Sequence, residues 1–244
     1  MFTRLTNALG LNPVKVETLL DAPQVMVGSV LSGVVHVTGT TADKTLNHIT
    51  LHLKTIAEKD TDNGDVRQNH TLGSVRLCSR QVLRANDRLS LPFHLTLSQE
   101  TPITQVSCRL NQVKLWLETE VDVASTIDSQ DKDPVYTTPT PVMARFLEAM
   151  SMAGFRLQKT DVELGYLNTR YGRSSFGCYQ ELEYSAPSFG LNSVEVSFLP
   201  VGEVVYVVLE IDRMFRSDSY QVFGLNDTMS IESMVGQIRQ VTGV

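Results

Sequence analysis

Val113-Lys114-Leu115-Trp116-Leu117-Glu118-Thr119-Glu120-Val121-Asp122-Val123 is the stretch that decides the fold class. Val113, Leu115, Leu117, Thr119, Val121 and Val123 alternate with Lys114, Trp116, Glu118, Glu120 and Asp122. A period of two belongs to a long strand with one dry face and one wet face. Trp116 falls on the wet face. Ile49, Leu51, Leu53, Thr55 and Ala57 alternate in the same way with Thr50, His52, Lys54, Ile56 and Glu58. Val204 to Asp212 is apolar on both faces at its start and wet at its end, which suits a central strand emerging from a sandwich.

Outward from these three, strands are predicted at Val14 to Leu20, Ser29 to Thr38, Ser74 to Leu83 and Leu89 to Leu97. More follow at Phe155 to Tyr166, Tyr179 to Tyr184, Val194 to Phe198 and Tyr220 to Gly224. Many short strands with turn signals between them indicate antiparallel β-sandwiches. Asp62-Asn63-Gly64-Asp65 predicts a type I′ hairpin joining a strand that ends near Asp60 to one that starts near Val66. Ala85-Asn86-Asp87 predicts a second turn. One amphipathic helix is expected directly after Pro139, with Thr140 as N-cap, Pro141 in first position and Gly154 as C-cap. Its apolar face is Val142, Met143, Phe146, Leu147 and Met150. Short helices are also predicted at Thr3 to Leu9 and at Ile231 to Gln240.

The chain of 244 residues is comfortable for two cores. Periodicity lapses between Ser125 and Pro141, where a polar, Pro-punctuated run separates the halves. The expected organisation is therefore an N-terminal sandwich at 1–128, a linker at 129–141 and a C-terminal sandwich at 142–244 with the helix at its start. Hydrophobic residues make up 42% and charged residues 20%, which excludes a disordered or collagen-like chain. The net charge of −6 disfavours sequence-independent nucleic-acid binding. Residues 1–130 carry 12 basic and 13 acidic side chains, and residues 131–244 carry 9 and 14. The excess acidity belongs to the second half. The first residues lack the apolar core of a secretory signal, and no apolar run approaches the roughly 20 residues that span a bilayer. A cytoplasmic location is expected.

Catalytic chemistry finds little support. Cys78, Cys108 and Cys178 are widely spaced, without a zinc pattern, and are expected to be reduced, mostly buried thiols. His48 and His52 form HxxxH, but on a strand four residues span about 13 Å, too far to share one ion unaided. Gly172 to Gly177 lacks the spacing of a nucleophile elbow, and no phosphate-cradling glycine loop is present. Glu118, Glu120 and Asp122 line one strand face and seat Ca²⁺ only if other oxygens converge there; a solvated face is the simpler reading. No metal, cofactor or catalytic residue is expected. Arg76, Arg80, Arg84 and Arg88 recur every fourth residue. They are candidate partner-binding residues for phosphorylated protein or anionic lipid, against the simpler reading that they guard a sheet edge or pair with acids.

Several strings, in order, carry a resemblance. They begin with Pro13-Val14-Lys15-Val16-Glu17-Thr18 and Val27-Gly28-Ser29-Val30-Leu31-Ser32-Gly33-Val34-Val35-His36-Val37. Leu91-Pro92-Phe93, Thr101-Pro102-Ile103, the Val113 to Val123 strand and Asp131-Lys132-Asp133-Pro134 come next. In the second half they are Tyr179 to Tyr184, Val194 to Pro200 and Val208 to Arg213. Together these resemble the bacterial sporulation-control proteins, an arrestin-like family, over nearly the whole chain. Val27 and Ser29 stand where that family has Pro and Glu, and the last thirty or so residues match poorly.

The resemblance implies two arrestin-like β-sandwiches in tandem, a cytoplasmic regulatory or scaffolding role, and no known active site. It does not imply that the host sporulates. The expected partners are proteins, engaged at sheet edges by strand addition, with a homodimer through an edge strand as one form. Nucleic acid is not expected, and a membrane only peripherally. The rival from another class is a hydrolase with an unrecognised Cys-His or metal site.

Overall fold

The computed structural model describes residues 13–59, 64, 66–124, 127–187, 189–214 and 217–244. The helix expected at Thr3 to Leu9 and most of the Asp62 to Asp65 turn lie outside them. The chain is mainly β.

The first half contributes β1 (Lys15–Leu20), β2 (Gln24–Met26), β3 (Val30–Thr38), β4 (Lys44–Lys59), β5 (Val66–Cys78), β6 (Gln81–Leu83), β7 (Arg88–Thr96), β8 (Leu110–Asn111), β9 (Leu115–Val123), β10 (Ser129–Pro134) and β11 (Tyr136–Thr138). β1, β3 and β7 form one sheet, and β10, β9, β4 and β5 line up in a second. Alternation decides what lies between them. Leu31, Val35 and Val37 of the first sheet and Leu46, Ile49, Leu51, Leu117 and Val121 of the second are fully buried in one core. β1 and β3 close tightly because residue 33 has no side chain: a Cβ on Gly33 would lie 2.3 Å from the Leu19 carbonyl oxygen.

Residues 129–138, expected as linker, instead supply two strands, β10 against β9 and β11 in parallel with β2. Their pairing is polar, which is why no apolar period marks them. Asp131 accepts the Thr18 N–H at 2.6 Å, and the Ser129 hydroxyl donates to the Val14 carbonyl at 2.6 Å. The strand expected from Ser74 to Leu83 is interrupted between β5 and β6. The Ala85–Asp87 turn forms, with Asn86 at φ 61° and the Asp87 N–H donating to the Arg84 carbonyl at 3.1 Å.

The second half contains α1 (Pro141–Met152), β12 (Arg156–Leu164), β13 (Asn168–Thr169), β14 (Gly172–Arg173), β15 (Cys178–Ser185), β16 (Leu191–Val201), β17 (Val204–Arg213), β18 (Ser219–Leu225) and α2 (Ile231–Thr242). The Thr140 hydroxyl caps α1 by accepting the Met143 N–H, with Pro141 in the first turn where its missing N–H costs nothing. Ala153 is the C-cap, and Gly154 follows at φ +97°. β12, β15, β16, β17 and β18 form an antiparallel sheet. Both helices cover one face of it: Phe146, Met150, Met234 and Ile238 are fully buried among Leu182, Val194, Val196, Leu209 and Ile211. On the opposite face the β13–β14 hairpin lays Tyr171 flat on Tyr206, centroids 4.3 Å apart.

The halves meet edge to edge. Glu58, near the end of β4, pairs in parallel with Glu163 of β12, so one sheet runs through both. Val27 and Ile103 of the first half are buried in the core of the second. No helix among the described residues is long and apolar enough to cross a membrane.

Candidate interaction surfaces

The wet face of the β9 strand is an organised charge lattice. Register sets Glu118 beside Lys132 of β10 and His52 of β4, and Trp116 beside Pro134 and Lys54. Glu118 is buried. It pairs with Lys54 and, at 2.9 Å, with Lys132, and accepts the Trp116 indole N–H at 3.4 Å. Burial pushes its carboxyl up, but these hydrogen bonds outweigh burial and hold it at about 2. Glu120 and Asp122 face His52 and His48, each at 3.3 Å. The two histidines thus have separate carboxylate partners on the strand's wet face, as the spacing predicts.

β5 is the long free edge. Its 13 residues pair with β4 on one side and with no strand on the other among the described residues. Most of its side chains are exposed, Val66 at 53%. Unpaired N–H and C=O groups along such a strand are a template for another strand. The four arginines do not form one strip. Arg76 lies on β5 opposite Thr50, Arg80 in the break after it, Arg84 beyond β6, and Arg88 at the start of β7 opposite Thr38. All four are exposed and none is in an ion pair among the described residues.

At the seam, Glu58 takes Arg67 at 2.6 Å and Lys159 at 3.3 Å, and Lys159 also pairs with Asp161. Glu58, Asp161 and Glu163 bring carboxylate oxygens within 4.8 Å of one another, the only such group of three or more among the described residues. Its positive charge is supplied by Lys159 and Arg67. Burial raises Glu58, but Arg67 and Lys159 outweigh it and leave the carboxyl below its ordinary value. Asp161 is held above its own by burial.

The outer face of the second sheet is acidic. Glu183, Glu195 and Glu210 stand opposite one another on β15, β16 and β17. Glu181, Glu195, Glu210, Tyr179 and Tyr220 line a cavity of about 300 Å³ walled by residues 166–169. Burial, then neighbouring carboxylates, push Glu181 to about 8 and Glu195 to about 7. Neither this row nor the seam is visible in the linear sequence. The alternation of Glu181 with Glu183 marks an acidic strand face, but only register shows which strands bring further carboxylates beside it.

Cys178 is buried, and burial, with Glu100 adding to it, pushes its thiol up to about 12. It is protonated at neutral pH, unlike an activated thiolate. Cys78 and Cys108 are free thiols, and burial raises Cys108 as well.

Comparison with known proteins follows the same lines. A family model described as SpoOM protein matches residues 2–215. Sporulation-control protein spo0M of Bacillus subtilis (strain 168) is 28% identical over 220 residues, 88% of this chain and 81% of that protein. The crystal structure of Spo0M, sporulation control protein, from Bacillus subtilis superposes with a TM-score of 0.82 at 24% identity, covering 95% of this chain and 98% of that one. That likeness establishes the shared fold.

Proposed function

The chain belongs to the SpoOM protein family, and from that premise we propose that it is a non-enzymatic, cytoplasmic regulatory or scaffold protein that works by binding other proteins. The observation that carries the reading is the free edge of β5, 13 residues long, mostly exposed, and backed by a sheet that continues into the second half. A partner strand adds there through main-chain hydrogen bonds and takes its specificity from alternate side chains.

The test is affinity capture from native lysate with the wild-type chain and with a variant carrying Asn69→Lys and Thr71→Lys. Both positions are exposed on β5, so the fold is expected to tolerate the lysines while strand addition is opposed. A partner held by wild type and lost by the variant supports the reading. A partner held equally by both contradicts it. Light scattering on the same pair distinguishes a second copy of this chain from a different protein at that edge.

A second reading rests on a separate observation, that Arg76, Arg80, Arg84 and Arg88 are exposed and unpaired with any acid among the described residues. They then recognise an anionic group on a phosphorylated protein. Reversing all four charges abolishes a salt-sensitive interaction if this holds, and leaves binding unchanged if the arginines only guard the edge.

A further inference from the structure

A groove of about 520 Å³ opens where the first sheet system hands over to the second half, between residues 104–115 and 132–136. Its floor is apolar: Val113, Leu115 and Val135 are 8%, 4% and 1% exposed. One wall is aromatic, built from Trp116, from Pro134 directly opposite it on β10, and from Tyr136. Lys114 and Lys132 stand among these groups.

The walls are fixed in place. Thr104 and Thr137, both buried, exchange hydrogen bonds from backbone N–H to side-chain hydroxyl at 3.0 and 2.8 Å. Asn111 donates to the Thr104 carbonyl at 2.8 Å and accepts the Val113 N–H at 3.1 Å. The Val135 N–H donates to the Leu115 carbonyl at 2.9 Å. The Trp116 indole is tethered to Glu118. A site whose walls are already ordered loses little entropy when it is filled.

Its charge is unbalanced. Glu118 is shared by two ammonium groups, Lys54 and Lys132, which leaves one positive charge over. Lys114 is exposed and has no ion-pair partner among the described residues. On its other side, Glu58 and Asp161 line a neighbouring hollow with Lys114, and with Glu163 they share the cations Arg67 and Lys159. Among the described residues no carboxylate lines the groove itself. A volume in the small-molecule range, an apolar floor, an aromatic wall and two lysines in the lining define one chemical class of occupant.

We infer that this groove binds a small amphipathic organic anion, its apolar or aromatic body against Trp116 and Tyr136 and its carboxylate, phosphate or sulfonate beside Lys114. Such a ligand would sit against residues 132–136, the segment that leads from the first half into the second, and so is placed to link ligand binding to how the two halves present their edges.

Trp116 is the only tryptophan in the chain, so its emission reports the groove directly. The probe is 1-anilinonaphthalene-8-sulfonate, with the neutral N-phenyl-1-naphthylamine as its uncharged counterpart. Expected is saturable, one-site quenching of Trp116 emission by the sulfonate, weakened about tenfold or more by Lys114→Glu, less by Lys114→Gln, and reduced by added salt. The neutral probe binds more weakly and ignores both substitutions. Lys114 projects into solvent, so neither variant is expected to disturb folding, and circular dichroism verifies this. Sulfonate binding without quenching of Trp116, or with the same affinity in both variants, would overturn the inference, since the probe would then lie on another apolar surface. Equal binding of the neutral probe would overturn it as well.

Discussion

Glu118 shows how one buried carboxylate can organise a face of a sheet. It is acceptor to Lys54, Lys132 and the Trp116 indole, and its removal leaves two ammonium groups facing each other. Glu118→Ala is expected to lower the unfolding free energy in urea by about 3 kcal/mol, with a shift in Trp116 emission as the tether is lost. Because its pKa in the folded chain is depressed to about 2, its stabilising contribution is complete above the ordinary carboxylate range near 4.5 and disappears as pH falls toward 2. The second sheet's outer face behaves in the opposite sense. Glu181 and Glu195, held at about 8 and 7, stabilise the fold most fully below about 4.5 and lose that contribution as pH rises through 7 to 8. Their surroundings include Asp161, Glu163, Glu183 and Glu210, with Lys159 partly offsetting them at Glu195. Glu195→Gln is accordingly expected to raise stability over wild type in urea at pH 8, with the gain shrinking toward pH 5. A constant difference across that range would show that the carboxylate row does not titrate as the register implies.

At the scale of elements, legibility follows how each element is held. α1 was readable to the residue at its start because its cap is a local chemical device, Thr140 before Pro141. Thr140→Ala is expected to cost about 1 kcal/mol. Gly154→Ala, which puts a Cβ at φ +97° and 3.1 Å from Pro187, is expected to cost about 1–2 kcal/mol. Thermal unfolding of the two variants checks both. β9 is legible from its alternation, which sets Trp116 on the wet face. β10 was not, because Ser129-Gln130-Asp131-Lys132-Asp133-Pro134 contains no apolar residue to alternate except its terminal proline. What fixes it is long-range, a hydrogen bond to Thr18 and an ion pair to Glu118. The even spacing of the four arginines does not make one strip for a related reason: spacing has meaning only while the strand lasts, and β5 ends at Cys78.

Across the whole molecule, two cores are joined by a continuous sheet and by a buried ionic cluster at its seam. Lys159 is the pivot, serving Glu58 and Asp161 together. Lys159→Ala is expected to cost about 3 kcal/mol by urea unfolding, because it leaves Asp161 without a cation and Glu58 with Arg67 alone. Adding Glu58→Gln and Asp161→Asn is expected to recover part of that loss, since the burden is the unpaired charge and not the missing side chain. The sandwich architecture was legible from sequence, but the edge-to-edge junction was not: it depends on the single Glu58–Glu163 pairing between residues 105 positions apart. That junction leaves β5 as a long edge with no second strand partner among the described residues, open to strand addition. Hydrogen–deuterium exchange on the complex with a captured partner tests it most directly. Amides of Val66 to Cys78 should become protected on binding while those of β18, at the far edge of the sheet, are unchanged. Protection confined to other surfaces, with β5 exchanging as fast as in the free chain, would contradict it.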